Sequence, residues 1–193
     1  RIKLAALGPD HPEVARSLEV LGLLAGYSGR PSDAVSLLER SLATREKAYG
    51  PDHIDVARSL GLISNVLVTT SEPGRAKALL ERALAIYERR LGADSREAGT
   101  TLNSLGNAQW ATGDTTRARG SYERAIAIGV KTLGPDNPEV ARRQYNLGRM
   151  LMLGHDYATA RPLLERALVI RELKLGPDHQ LVGATLWRLG ELE

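Results

Sequence analysis

The sequence has no cysteine, which excludes disulfides, thiol catalysis and thiolate metal sites. It also lacks any run approaching the ~18 uninterrupted apolar residues of a membrane helix. Its first residues, Arg1-Ile2-Lys3-Leu4-Ala5-Ala6, lead into neither a long apolar stretch nor a cleavage site of the signal-peptide kind, so the expected compartment is the cytoplasm. No sign of charge dominates: 26 basic and 23 acidic residues leave a net charge of +3, too even a balance to argue for nucleic acid. Sustained polar–apolar alternation is missing too, so no sheet is expected. What is present suffices for a folded core. A 193-residue chain that is 42% hydrophobic and 25% charged has an ordinary globular composition, not a disordered one.

The chain repeats itself. Leu7-Gly8-Pro9-Asp10-His11 returns as Tyr49-Gly50-Pro51-Asp52-His53, Leu91-Gly92-Ala93-Asp94-Ser95, Leu133-Gly134-Pro135-Asp136-Asn137 and Leu175-Gly176-Pro177-Asp178-His179, each step being 42 residues without insertion or deletion. Leu38-Glu39-Arg40, Leu80-Glu81-Arg82, Tyr122-Glu123-Arg124 and Leu164-Glu165-Arg166 keep the same step. Two motifs in register over the whole chain define a repeat array.

Each unit reads as two helices. The first opens at the Pro-Asp turn, with Asp10, Asp52, Asp94 and Asp136 as expected N-caps, and Glu13, Asp55, Glu97 and Glu139 three residues on as capping-box partners. Val14, Leu18, Leu21 and Ala25 then fall on one helical stripe. The second helix carries Ala34, Leu37, Leu38 and Leu42 and stops at Gly50, and Pro31 and Pro73 sit in its first turn, where a missing N–H costs little. Gly129 and Pro162 lie inside second helices and are expected to weaken or bend them. The units run over residues 9–50, 51–92, 93–134 and 135–176, with the end of a preceding helix at 1–8 and the first helix of a further unit at 177–193. Half-units at both ends suggest a window on a longer array, or ends that stack on another copy.

Two helices in about 40 residues suit either HEAT-type or tetratricopeptide units. The pattern inside the unit decides. Leu18-x2-Leu21-Gly22-x2-Ala25 followed by Ala34-x3-Leu38-x2-Ser41 has the tetratricopeptide layout, as do Leu105-Gly106 with Ala118-x3-Tyr122-x2-Ala125 and Leu147-Gly148 with Ala160-x3-Leu164-x2-Ala167. Small residues sit where two helix backbones approach, and large ones fill the gaps. Together with the 42-residue step, the LGPDHPEVA turn and the LLERAL helix, this resembles the kinesin-light-chain type of tetratricopeptide repeat over the whole chain. The resemblance implies an all-α fold, a right-handed α-solenoid of antiparallel helix pairs. Ser64 departs from the glycine column and Gln144 from an apolar one. Arginine outnumbers lysine 21 to 5, which points to a GC-rich, bacterial source.

Catalytic chemistry finds no seat. His11, His53 and His179 share one turn of different units, His155 lies at the other end of its unit, and none has zinc-ligand spacing; the turn or capping role is the expected one. No serine stands in a G-x-S-x-G context, and no glycine cluster forms a phosphate loop. The Glu-Arg pairs read as solvated or inter-repeat ion pairs. The chain is thus expected to be no enzyme and to need no cofactor or metal.

What remains is the surface that repeats build. In arrays of this kind the first helices line a concave groove suited to an extended peptide or a helix. The Leu-Gly register places Arg16, Glu19, Leu23 and Tyr27 there in the first unit, and Arg58, Leu62, Asn65 and Val68 in the second. Asn103, Ser104, Asn107 and Trp110 follow in the third, Arg142, Tyr145, Asn146, Arg149 and Met152 in the fourth, and Trp187 and Arg188 in the last half-unit. Asparagine amides donate to and accept from a peptide backbone at once. The resemblance implies that role for Asn65, Asn107 and Asn146. Arg58, Arg142, Arg149 and Arg188 bias the groove toward acidic side chains or a C-terminal carboxylate, and aromatics and arginine dominate interface hot spots.

The same columns have a plainer explanation, in which the asparagines are solvated and Trp110 and Trp187 pack against neighbouring units. Two functions therefore stand side by side. One is a scaffold holding an acidic or carboxylate-bearing protein segment in the groove, with no nucleic acid and no membrane as partner. The other is an assembly or sensor segment of a larger signalling protein, packing through its ends or convex face, end-to-end self-association included.

Overall fold

The computed structural model describes Gly8 and residues 11–192. Among them nine helices follow in order: α1 (Pro12–Tyr27), α2 (Pro31–Tyr49), α3 (Ile54–Thr69), α4 (Pro73–Leu91), α5 (Arg96–Ala111), α6 (Thr115–Leu133), α7 (Pro138–Leu153), α8 (Tyr157–Leu175) and α9 (Gln180–Gly190). The described residues contain no strand. The helix end expected before Gly8 and the Asp10 cap fall outside the described residues.

The period sets where second helices stop and first helices begin. α2, α4, α6 and α8 each stop at a glycine with φ near +90°, Gly50, Gly92, Gly134 and Gly176, a conformation that L side chains resist. Pro31 and Pro73 occupy the first turns of α2 and α4. The first-helix caps correct the expectation by one residue. His53 Nδ1 accepts from Asp55 N at 3.1 Å, Ser95 Oγ from Ala98 N at 3.3 Å and Asn137 Oδ1 from Glu139 N at 2.9 Å. His11 and His179 cap in the same way. The aspartates are thereby released to hold second helices: Asp52 pairs with Arg89 and Asp94 with Lys131, each at 2.6 Å, and Asp136 with Arg166.

The chain divides at Ala93–Asp94 into two compact units. In the first, α1–α4, the core gathers Val56, Ala57, Leu60, Ala83, Ile86 and Tyr87. In the second, α5–α9, one cluster joins Ala118, Tyr122, Leu147, Met150, Leu151, Met152 and Ala160, and another joins Ala141, Ala167 and Ile170. Glycines on first helices let second helices in. A Cβ on Gly22 would stand 2.8 Å from Leu38, one on Gly106 2.8 Å from the Tyr122 ring, and one on Gly148 2.8 Å from Leu164. Ser64 stands in the glycine column in the second repeat, buried, and its hydroxyl donates to Leu60 O at 2.7 Å.

Junctions between repeats pair a large residue with a small one. Arg45 on α2 is buried and reaches Ser59 on α3 at 2.5 Å, while Arg171 on α8 reaches Thr185 on α9 at 2.6 Å. Between α6 and α7 the two sides exchange sizes: Gly129 opens the space and Arg143 enters it from α7, donating to Ala125 O at 2.5 Å. A Cβ on Gly129 would stand 2.7 Å from that guanidinium. Gly129 is therefore no defect, and α6 and α8 run unbroken through Gly129 and Pro162. The Glu-Arg motif supplies ion pairs between the first two repeats, Arg82 with Glu46 at 2.6 Å and Arg75 with Glu39, and pairs within a repeat further on, Glu123 with Arg119 at 2.8 Å and Arg166 with Asp136.

Candidate functional site

In the first unit the exposed face belongs to α1 and α3. Arg58 is exposed and pairs with Asp55 at 3.0 Å. Arg16 is exposed and has no ion pair among the described residues. Glu19 is committed elsewhere, to the buried Arg45. Leu23, Tyr27, Pro31, Leu62, Asn65 and Val66 line an open cavity of about 310 Å³. Tyr27 is 88% exposed, and Asn65 makes no side-chain hydrogen bond among the described residues.

In the second unit the equivalent face, on α5, α7 and α9, is built from paired polar groups. Asn107 Oδ1 accepts from the Tyr122 hydroxyl at 2.6 Å. Arg149 lies over Trp110, its guanidinium carbon 4.9 Å from the ring centroid, a cation–π contact. Asn146 Nδ2 donates to Asn103 Oδ1 at 3.1 Å. Arg142 pairs with Glu139 at 2.6 Å, and this hydrogen bond holds the Glu139 carboxyl below its usual range. Arg188 pairs with Glu191 at 2.8 Å and lies 5.0 Å from the Trp187 ring centroid. Trp187 is 66% exposed.

Several expected groove residues turn out to be structural. Asn103 is 0% exposed; it is the buried support of Asn146, not a surface group. Tyr145 is half-buried and covers Arg171, whose guanidinium carbon is 4.3 Å from its ring centroid. Met152 is buried in the core. Trp110 is half-buried against that same core, so its plainer packing role coexists with its contact to Arg149. Asn107, Trp110 and Arg149 come together around Tyr122, whereas Arg142 lies toward the start of α7 with Glu139.

Sequence reasoning missed Tyr122. It is the one hydroxyl in a column otherwise made of Leu38, Leu80 and Leu164, and that contrast was the available signal. Burial pushes its phenol well above the usual range, partly opposed by the Arg149 charge. The buried Arg171 and Arg143 were missed as well; burial lowers both guanidinium pKa values.

A tetratricopeptide repeat profile matches residues 2–47, 33–89, 72–129 and 97–172, most of the chain. The chain belongs to the tetratricopeptide repeat family. Solved structures agree. A kinesin light chain of Podosopora anserina with nearly identical TPR-like repeats is 25% identical, with 94% of this chain and 86% of that one aligned at a TM-score of 0.80. BtubC (BKLC) from P. vanneervenii is 22% identical over 94% of this chain and 72% of that one, TM-score 0.81, a likeness of fold. RapI in its apo form, at 17% identity and TM-score 0.79 over 93% of this chain and 62% of that one, shares the fold too. A search of curated protein sequences finds no significant match.

Tetratricopeptide repeats mediate protein–protein interactions, and the fold is typically non-enzymatic. Among the described residues no three His, Asp or Glu side chains cluster to hold a metal ion, and no helix is long and apolar enough to cross a membrane.

Proposed function

We propose that the chain is a non-catalytic interaction scaffold whose first-helix faces bind an extended protein segment bearing acidic or carboxylate groups. The observation that carries this is the grouping of Asn107, Trp110 and Arg149 on the second unit: an amide for the main chain, an aromatic surface, and a guanidinium over that ring. A cation–π contact uses no N–H group of an arginine, which keeps its donors for a carboxylate. Asn146, Arg142, Trp187 and Arg188 extend the polar face, and Arg58 and Asn65 serve the first unit with its apolar cavity. Affinity in the micromolar range, about −8 kcal/mol, suits transient segment recognition. A random-peptide display selection on the full chain tests it. Acidic or C-terminal motifs should enrich and vanish with the Asn65→Ala, Asn107→Ala, Asn146→Ala triple variant. Enrichment indifferent to that variant and to Arg149→Ala sinks the assignment.

A second use, packing through the terminal repeats, has its own support. Leu186 on α9 is 49% exposed, although Leu18, Leu60 and Leu102 in the same column are buried. Light scattering across a concentration series decides it: a rising mass supports self-association, and a constant monomer mass excludes it.

A further inference from the structure

Tyr122 lies beneath the face just proposed for partner binding, and it is 0% exposed. Its ring is seated against Gly106, where a Cβ would come within 2.8–3.0 Å of three ring carbons. A phenol buried this deeply has to donate its proton to something, because an unsatisfied buried hydroxyl is costly. Asn107 Oδ1, 2.6 Å away, is the acceptor. The phenol stays protonated, since burial pushes its ionisation far up.

This decides which way the Asn107 amide faces. With Oδ1 engaged from below, Nδ2 turns away from the core. Asn65, in the same column one repeat earlier, stands where the second-helix residue is Leu80 and has no such tether.

We propose that Tyr122 is a positioning residue that locks Asn107 with its N–H groups outward, so that this face recognises an acceptor oxygen, a main-chain carbonyl or a carboxylate, and rejects a donor. Arg149, whose charge reaches Tyr122 and whose guanidinium lies over Trp110, supplies a second donor beside it. The inference rests on the proposed partner-binding face, and the following variants separate the two.

The probe is the most enriched peptide from a random dodecamer display on the full chain, synthesised and titrated by calorimetry. Asn107→Ala should weaken binding at least tenfold. Asn107→Asp keeps the acceptor for Tyr122 but removes the outward N–H groups, and should weaken it as much. Tyr122→Phe, which keeps the ring, should weaken binding roughly tenfold, about the net worth of one hydrogen bond. The Tyr122→Phe, Asn107→Ala double variant should bind no worse than Asn107→Ala alone. Full affinity in Asn107→Ala defeats the face itself. Loss in Asn107→Ala with full affinity in Tyr122→Phe defeats only the lock, as do multiplicative losses in the double variant. The two oxygen sources separate when the peptide is C-terminally amidated or its Glu and Asp are changed to Gln and Asn. Affinity lost on those changes identifies a carboxylate; affinity kept identifies a main-chain carbonyl. A ligand-free arm uses the side-chain ¹⁵N amide pair of Asn107, assigned by its disappearance in Asn107→Ala. It should shift and broaden in Tyr122→Phe, and an unmoved pair overturns the lock even if no peptide enriches.

Discussion

In residues 1–93 the second helices α2 and α4 begin at Pro31 and Pro73, after Arg30 and Glu72, with no side-chain cap. In residues 94–193 their counterparts α6 and α8 begin after Asp114 and Asp156, each of which accepts a backbone N–H. The contrast continues on the first-helix faces. The first unit offers an apolar cavity with an unpaired Asn65 and the exposed Tyr27, whereas the second offers asparagines tethered by Tyr122 and Asn103. On the proposed function, one repeat backbone would carry two recognition chemistries, one apolar, the other polar and pre-organised. A pre-organised group loses less freedom on binding, so polar selectivity should reside in the second unit.

The comparison breaks most severely at the junction of α6 and α7. Gly129→Arg places a second guanidinium in the space Arg143 fills, and should cost about 3–5 kcal/mol. Adding Arg143→Thr recreates the arrangement of Arg171 with Thr185 and should recover most of that loss in urea denaturation. Next come the glycines. Gly106→Ala drives a Cβ into the Tyr122 ring and should destabilise by about 1–3 kcal/mol. Gly61→Ala on α3, with nothing within 4 Å of the added Cβ, should instead stabilise by about 0.5–1 kcal/mol. Caps follow: Asp114→Ala should cost about 1 kcal/mol, and Glu72→Asp, which installs the second unit's device in the first, should add up to that much. Thermal unfolding checks the glycine and cap variants. The smallest effect belongs to alkaline pH. The Tyr122 phenol has a raised folded-state pKa, so its contribution is whole below the unfolded tyrosine value of about 10 and is lost as pH rises above it. Tyr122→Phe should flatten the stability curve there, as urea titrations from pH 9 upward would record.

The period, the helix pairs, the glycine stops and the first-turn prolines were all legible in the sequence, because each is a local property repeated every 42 residues. Groove membership was legible only by column. Asn103 and Asn107 lie one helical turn apart and differ in burial; Asn103 meets Asn146 of the neighbouring first helix, and Asn107 meets Tyr122 of its own repeat. The caps slipped by one residue because the side chain after each aspartate, histidine, serine or asparagine, also carries an acceptor within reach of the first turn, and Asp52, Asp94 and Asp136 are held by an arginine or lysine far along the chain. Arg143 was hidden because its logic spans two columns: 45, 87, 129 and 171 hold Arg, Tyr, Gly and Arg, while 59, 101, 143 and 185 hold Ser, Thr, Arg and Thr.

Those two columns also bear on how such a chain can change length. Unequal crossing-over between 42-residue stretches in register keeps the reading frame, every second-helix glycine stop and every capping turn. Yet removal of residues 130–171 would set Gly129 against Thr185, leaving a hole the size of an arginine in an otherwise faultless array. Removal of residues 46–87 would instead set Arg45 against Thr101, a pairing of the same kind as Arg171 with Thr185, so the exchanged junction dictates which repeat can be lost and which cannot.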